Sequence, residues 1–330
     1  MTNSKTGYHG IDIGGTKIEL VAYADDDAGH SAGTGAGGAS AGSGAGLREV
    51  YRERIATPGT DFGEFIAAMQ ALVARADTAL GFRAPVGIGL PGVIDSATGR
   101  QLSSNVPALN GRLVAQSLQD ALQRPLAIGN DCQCFALSEA QGGAADGLPT
   151  MFGAILGTGA GGGYCIDGHL QRGLNGIAGE WGHWPLPAAL LAQHSLPLLD
   201  CPCGRRGCME RYVSGPGLSN LHRHYRSADE TPLSIVARAQ SGSADAQHTL
   251  DVHADLLGHA LASLVLALDP HAIVLGGGLS QLTHLYDKLP AAIQRHLFSG
   301  VRPPPVLPPK FGDAGGARGA ALLVRQQLNT

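Results

Sequence analysis

Apolar and polar positions change period several times along the chain, and each change marks an element. A short apolar run from Gly7 ends at Ile13 and is followed by Gly14-Gly15. Thr16, Ile18, Leu20 and Ala22 then alternate with Lys17, Glu19, Val21 and Tyr23. That period of two predicts a strand, a tight turn and a half-buried second strand over residues 7–23. Over residues 62–80 the spacing becomes helical, with Phe65, Met69, Leu72, Val73 and Ala76 on one face. Short apolar runs predict buried strands at 86–90, 126–128, 151–156 and 272–275, and helices are predicted over 113–122, 134–141, 254–268 and 319–328. Strands and helices alternate in both halves and glycines repeatedly sit at strand ends. The pattern indicates an α/β protein whose ligand sites lie at the ends of its strands.

One segment has no period at all. From Gly29 to Gly46, 13 of 18 residues are Gly or Ala, too little apolar area to offset the entropy of ordering, so a flexible loop is expected inside a hairpin whose second arm resumes at Leu47. The chain as a whole is rich in glycine, 49 of 330 residues against a usual share of roughly 7%. Glycine at that density means loops where backbone approaches a ligand closely. The formal charge of −4 offers no basic face, which disfavours a nucleic-acid partner. The best candidate for a membrane span, residues 254–268, is broken by Asp255 and His259, and residues 1–8 lack the apolar run of a signal peptide. The expectation is a cytoplasmic protein with no membrane partner.

Three glycine loops follow predicted strands: Asp12-Ile-Gly14-Gly15-Thr16-Lys17, Gly157-Thr158-Gly159 continuing to Gly163, and Gly276-Gly277-Gly278. Backbone N–H groups in such turns form anion-binding nests, and glycine lets them approach phosphate. Each loop alone is weak evidence, and Gly14-Gly15 reads equally as an ordinary hairpin turn. The second loop contains G-x-G-x-x-G, but the residues after it read as a strand, whereas a dinucleotide fingerprint opens a helix. The first is not a Walker A loop either, because Thr16-Lys17 enters a strand. Cys201, Cys203 and Cys208 form a C-x-C-x4-C run that suits tetrahedral zinc and requires a fourth ligand. Cys132, Cys134 and Cys165 sit in apolar contexts and read as core. Asp131, at the end of a buried strand, reads equally as a general base or as the N-cap of the following helix.

Taken in order, Asp12-Ile-Gly-Gly-Thr-Lys17, Gly87-Ile-Gly-Leu-Pro-Gly92, Asn130-Asp131, Gly157-Thr-Gly159, Gly179-Glu-Trp-Gly-His183, Cys201-Pro-Cys-Gly-Arg-Arg-Gly-Cys208 and Gly276-Gly-Gly278 resemble the ROK family of bacterial sugar kinases over nearly the whole chain. The resemblance implies the actin-like ATPase fold (sugar kinase/Hsp70/actin), two α/β domains with an interdomain cleft. The smaller would span 1–128 plus 315–330 and the larger 129–314. It implies an ATP-dependent kinase acting on a hexose 6-hydroxyl, with Asp131 as the base. Gly92, Asn105, Asn130, Glu180, His183 and Glu210 would bind the sugar. Asp12, Gly14, Gly15, Thr16, Lys17, Gly157, Thr158, Gly159, Gly276, Gly277 and Gly278 would bind MgATP, with Asp12 orienting Mg²⁺ through water. His183 becomes the fourth ligand of a structural Zn²⁺, and a homodimer is the usual minimum. N-acetyl-D-glucosamine is the preferred hexose on the Asn105-Val-Pro-Ala segment. Leu109-Asn-Gly111 and the 179–187 segment look more like fructokinases and mannokinases, with glucose a further alternative. A sugar-responsive repressor of the same family is disfavoured, since no DNA-binding domain precedes Asp12. A catalytically dead sugar-binding module is disfavoured by Asp131 and the phosphate loops.

Overall fold

The computed structural model describes residues 6–25, 46–102, 105–227, 229–312 and 315–329. In chain order the elements are β1 (Gly7–Ile13), β2 (Lys17–Asp25), β3 (Leu47–Ala56), α1 (Phe62–Leu80), β4 (Val86–Leu90), β5 (Val93–Ile94), β6 (Gln101–Leu102), α2 (Val114–Leu122), β7 (Leu126–Asn130) and α3 (Asp131–Ala140). They continue with β8 (Thr150–Leu156), β9 (Ala160–Ile166), β10 (His169–Gln171), α4 (Ala188–Gln193), α5 (Glu210–Val213) and α6 (Gly215–Arg226). The last are α7 (Pro232–Gln240), α8 (Ala244–Leu268), β11 (Ala272–Gly276), α9 (His284–Arg295), β12 (Val306–Leu307) and α10 (Gly315–Leu328). Two mixed five-stranded sheets result, ordered β3-β2-β1-β4-β7 and β10-β9-β8-β11-β12. This is the α/β architecture expected. The low-complexity expectation at 29–46 lies almost wholly outside the described residues.

The chain divides into two compact units, 1–149 with 163–178 and 313–330, and 150–162 with 179–312. The boundary after Pro149 differs from the expected one after residue 128. Helix α3 packs against α10 and the first sheet, so Asp131 and its helix belong to the first unit.

In the first unit Ile11, Ile13, Ile18, Leu20, Val86 and Ile88 from the sheet meet Phe65, Met69 and Leu72 of α1, all fully buried. α1 starts where the Asp61 side chain accepts from Glu64 N (2.8 Å) and stops at Gly81, whose φ of 85° only glycine adopts readily. β2 is buried on both faces rather than half-buried as its alternation predicts. Glu19 is 2% exposed because Arg52 and Arg54 of β3 bind its carboxylate. A second buried polar group pins β1 to α1: Arg124 forks onto Asp77 with two 2.8 Å bonds, and His9 Nε2 lies 2.8 Å from Asp77 Oδ1.

In the second unit α8 is the central helix, packed by α5, α6, α7 and α9. It is long and apolar enough to cross a membrane by length and composition, but most of that stretch is buried among those helices. It begins ten residues before the expected 254, because its first turns bury Thr249 and His253 through partners: His222 Nδ1 lies 2.9 Å from Thr249 Oγ1, and His253 Nε2 3.0 Å from Val213 O.

Candidate active site

Strands β1, β4 and β7 run parallel, so their C-terminal ends lie side by side: Asp12 pairs with Gly89, Gly89 with Gly129, and Leu90 with Asn130. Gly89 lies between the Asp12 carboxylate and the backbone of Asp131. A Cβ there would sit 3.6 Å from Asp12 Oδ1 and 3.5 Å from Asp131 Cα, so its absence leaves room between them. Gly316, the second residue of α10, packs directly on Asp12, and a Cβ on it would lie 2.7 Å from Oδ2. The positive end of α10 therefore faces that carboxylate, a favourable setting for a negative group.

Asn130 takes the N-cap of α3, accepting from Cys132 N at 2.9 Å, while its Nδ2 donates to Gly92 O at 3.1 Å. Asp131 is thus the first helical residue rather than the cap. Its Oδ1 also accepts from Cys132 N (2.9 Å). Asp131 is half-buried, and loss of hydration raises its pKa above the ordinary aspartate value. A carboxylate of raised basicity at a strand end is suited to accept a proton.

The first glycine loop is held from below. Gly14 N donates to Lys17 O (2.8 Å), Thr57 Oγ1 to Gly14 O (2.7 Å) and Thr57 N to Thr16 O (3.1 Å). Gly15 is required by close approach, since a Cβ would lie 2.8 Å from Asn105 O. Gly15, Thr16 and Lys17 are exposed. Asn105 and the loop are therefore adjacent, one expected to touch sugar and the other phosphate.

In the second unit the other two loops lie against each other. β8 and β11 pair in parallel, bringing Gly157–Gly159 beside Gly276–Gly278. Gly277 has φ 74°, and a Cβ on it would lie 2.6 Å from Leu156 O and 3.0 Å from Gly157 N. Gly157 O accepts from Gly215 N (2.9 Å), tying the loop to the start of α6.

The same unit carries the candidate metal ligands. His183, Cys201, Cys203 and Cys208 place one donor atom each within 4.8 Å of all the others. Cys203 Sγ and Cys208 Sγ are 3.6 Å apart, and Cys201 Sγ is 3.8 Å from His183 Nδ1. A tetrahedron with metal–sulfur bonds of about 2.3 Å has edges of about 3.8 Å, so the four residues fit zinc. Gly204 (φ 86°) and Gly207 (φ 73°) curl the chain to bring the thiols together. His183 Nδ1 faces the thiols, and its Nε2 lies 3.9 Å from Glu180 Oε2. Glu210 is half-buried rather than a solvated surface charge; its Oε1 accepts from Cys201 Sγ at 3.1 Å. Gly182 sets the Glu180–His183 turn, because any Cβ would overlap Ala160 O.

The expected residues thus fall into two sets, Asp12, Gly14–Lys17, Gly92, Asn105, Asn130 and Asp131 in the first unit, and the glycine loops, Glu180, His183, the cysteines and Glu210 in the second. Sequence reasoning missed Gln133, Arg172 and the turn 173–176, which line or brace the ground beside Asn130. Gly173 and Gly176 were the available signal.

The profile of the ROK family matches residues 40–327. The N-acetylgalactosamine kinase AgaK of Shewanella sp. (strain ANA-3) is 45% identical over 316 residues, 96% of each chain. The N-acetyl-D-glucosamine kinase of Photobacterium profundum is 39% identical over 96% of this chain and 98% of that one. Among solved structures, a ROK hexokinase from Thermus thermophilus superposes with a TM-score of 0.83 at 28% identity, covering 98% of this chain and 99% of that one. A ROK glucokinase from Streptomyces griseus in complex with glucose and AMPPNP gives 0.73 at 28%, covering 97% and 99%. The chain belongs to the ROK family of sugar kinases.

Proposed function

We propose that this ROK-family kinase transfers the γ-phosphoryl group of MgATP to the 6-hydroxyl of a 2-acetamido-hexose, with N-acetyl-D-glucosamine as first choice. The placement of Asp131 supports the reaction: a half-buried carboxylate of raised pKa, relieved of capping duty by Asn130. The acetamido class is supported by the two relatives, which act on N-acetylgalactosamine and N-acetyl-D-glucosamine. Because the galacto relative has the higher identity of the two, N-acetylgalactosamine is the second reading, ahead of fructose, mannose and glucose.

In this reading the Asp131 carboxylate takes the proton from O6 as that oxygen bonds to the γ-phosphorus and the bridging oxygen leaves with ADP. Gly14–Lys17, Gly157–Gly159 and Gly276–Gly278 supply backbone N–H groups to the phosphates and nucleotide, and Asp12 orients hydrated Mg²⁺. Asn105, Asn130, Gly92, Glu180, His183 and Glu210 hold sugar hydroxyls, since amides and carboxylates donate and accept in pairs. His183, Cys201, Cys203 and Cys208 would hold a structural zinc, four protein ligands leaving no open position. The enzyme works in the cytoplasm as a homodimer, which size-exclusion chromatography checks.

A coupled assay of ADP release across N-acetylglucosamine, N-acetylgalactosamine, fructose, mannose and glucose tests the substrate. N-acetylglucosamine should give the highest kcat/KM. A tenfold advantage for fructose, about 1.4 kcal/mol of transition-state stabilisation, would overturn the acetamido reading.

A further inference from the structure

A cavity of about 390 Å³ opens beside Asn130 and Gly92, within the first unit, and its far wall is the turn Arg172–Gly176. No motif of the sequence falls on that turn, yet it is braced at four points. Ala178 N donates back to Arg172 O (3.3 Å), closing the loop, and Arg172 Nη2 donates to Ile128 O on β7 (2.8 Å). Gln133, 2% exposed, donates through Nε2 to both Gly176 O and Ala178 O, each at 3.0 Å. Gly173 (φ 71°) and Gly176 (φ 69°) provide the left-handed corners that the turn needs.

The rigidity has an odd result. Leu174, at the tip, is 96% exposed although it lines the cavity. A loop free to relax would fold such a side chain away; a braced one holds it out for something to cover. Asn175 beside it is exposed too, and among the described residues its amide has a long contact, with Ser96 Oγ donating to Oδ1 at 3.4 Å. The turn therefore offers an apolar surface next to an amide able to donate and accept. A plain hexose carries hydroxyls around its ring edge and has neither a methyl nor an amide to match this. An acetamido arm does: a methyl for the leucine, and an N–H and a carbonyl for the amide.

We infer that the turn Arg172–Ala178 reads the substituent at C2 of the sugar, with Leu174 and Asn175 as specificity determinants and Gln133 as their positioning residue. The inference rests on the acetamido reading above and names the residues that would enforce it. Gln133 lies two residues beyond Asp131 on α3, so the helix that presents the base also fixes the specificity wall.

The test compares kcat/KM for N-acetylglucosamine and N-acetylgalactosamine with that for glucose in the wild type and in Leu174→Ala, Asn175→Ala and Gln133→Met. Both exposed positions can be changed without touching the core, so unfolding temperatures of the two loop variants should match the wild type. Each loop variant should lower the acetamido-to-glucose ratio at least fivefold, mainly through KM for the acetamido sugar, with KM for ATP unchanged. Gln133→Met should move the ratio in the same direction. A change below fivefold in both loop variants, or an equal loss on all sugars, overturns the inference. A wild type that prefers glucose instead removes the acetamido reading itself, and that result is read before any variant is made.

Discussion

Replacing Asp131 with Asn tests its proposed catalytic role apart from architecture, because the cap of α3 is a different residue, Asn130. Asn130 caps α3 through its 2.9 Å bond to Cys132 N, so Asp131→Asn leaves the helix start intact. The variant keeps the side-chain volume and a bond to Cys132 N, and it loses only the proton-accepting oxygen. Removing a general base typically costs 10²- to 10⁴-fold in kcat, or about 2.7–5.5 kcal/mol of barrier. Affinities for sugar and MgATP, measured by calorimetry, should change far less.

Stability should move the other way. Burial raises the folded-state pKa of Asp131, so ionising it works against folding. Its favourable contribution is complete below the unfolded aspartate value, about 3.9, and is lost as pH rises through the folded value. At pH 7 Asp131→Asn removes that penalty, and its unfolding temperature should equal or exceed that of the wild type. The same shift places the acid limb of the wild-type kcat/KM profile, which reports the free enzyme, above the usual aspartate range, where the base becomes protonated. A variant retaining more than about a tenth of wild-type kcat, or one that loses activity and unfolds together, would refute the assignment.

Cys203→Ser should abolish stoichiometric zinc by metal analysis and lower the unfolding temperature; because Cys203 is exposed, lost packing cannot account for the change. Wild-type protein purified without zinc would end that reading. Asp77→Ala should cost about 3–5 kcal/mol in urea unfolding, since it strands the Arg124 guanidinium in a nearly buried site. Burial opposes it, but the bonds from Arg124 and His9 hold Asp77 below its usual pKa; its contribution is present above the unfolded value and lost as pH falls through the folded one, so the variant should show less acid sensitivity there. Gly157→Ala should fold with normal stability and raise KM for ATP at least tenfold, whereas Gly10→Ala should fail to accumulate as folded protein, because its Cβ would overlap Ala317 O.

The motifs that carry chemistry were legible because each is local. A glycine turn after an apolar run announces a strand end wherever the strand later packs, and a C-x-C-x4-C run brings its own thiols together. What failed to show lacked an apolar period or depended on distant partners. Helix α3 begins at Asp131 rather than 134 because Asn130 caps it, while the opening residues Asp-Cys-Gln have no apolar period. Glu19 disappears into the sheet on account of Arg52 and Arg54, more than thirty residues away. The unit boundary moves past residue 149 because α10, at the opposite end of the chain, covers α3. Gln133 and the turn it braces meet only in the folded chain, so no spacing announces them.

Glycine content misled least, but it merged two physical demands that the structure separates. At Gly10, Gly87 and Gly319 a Cβ would overlap the carbonyls of Ala317, Ala320 and Cys134, so α10 lies directly on the backbones of β1 and β4, and α3 directly on α10. These glycines set the distance at which Gly316 meets Asp12, and so place a carboxylate at the sheet end without touching any ligand. Gly157 and Gly278 meet no atom within 4 Å of a built Cβ, and neither has a positive φ. Nothing inside the protein requires glycine at either position. Glycine costs roughly 0.4–1 kcal/mol relative to alanine where both fit, through the freedom of the unfolded chain. On the proposed function, that cost on two adjoining loops, both at the ends of parallel strands, has an external reason. Close approach of a phosphate or nucleotide to bare backbone is the reason that matches the rest of the site.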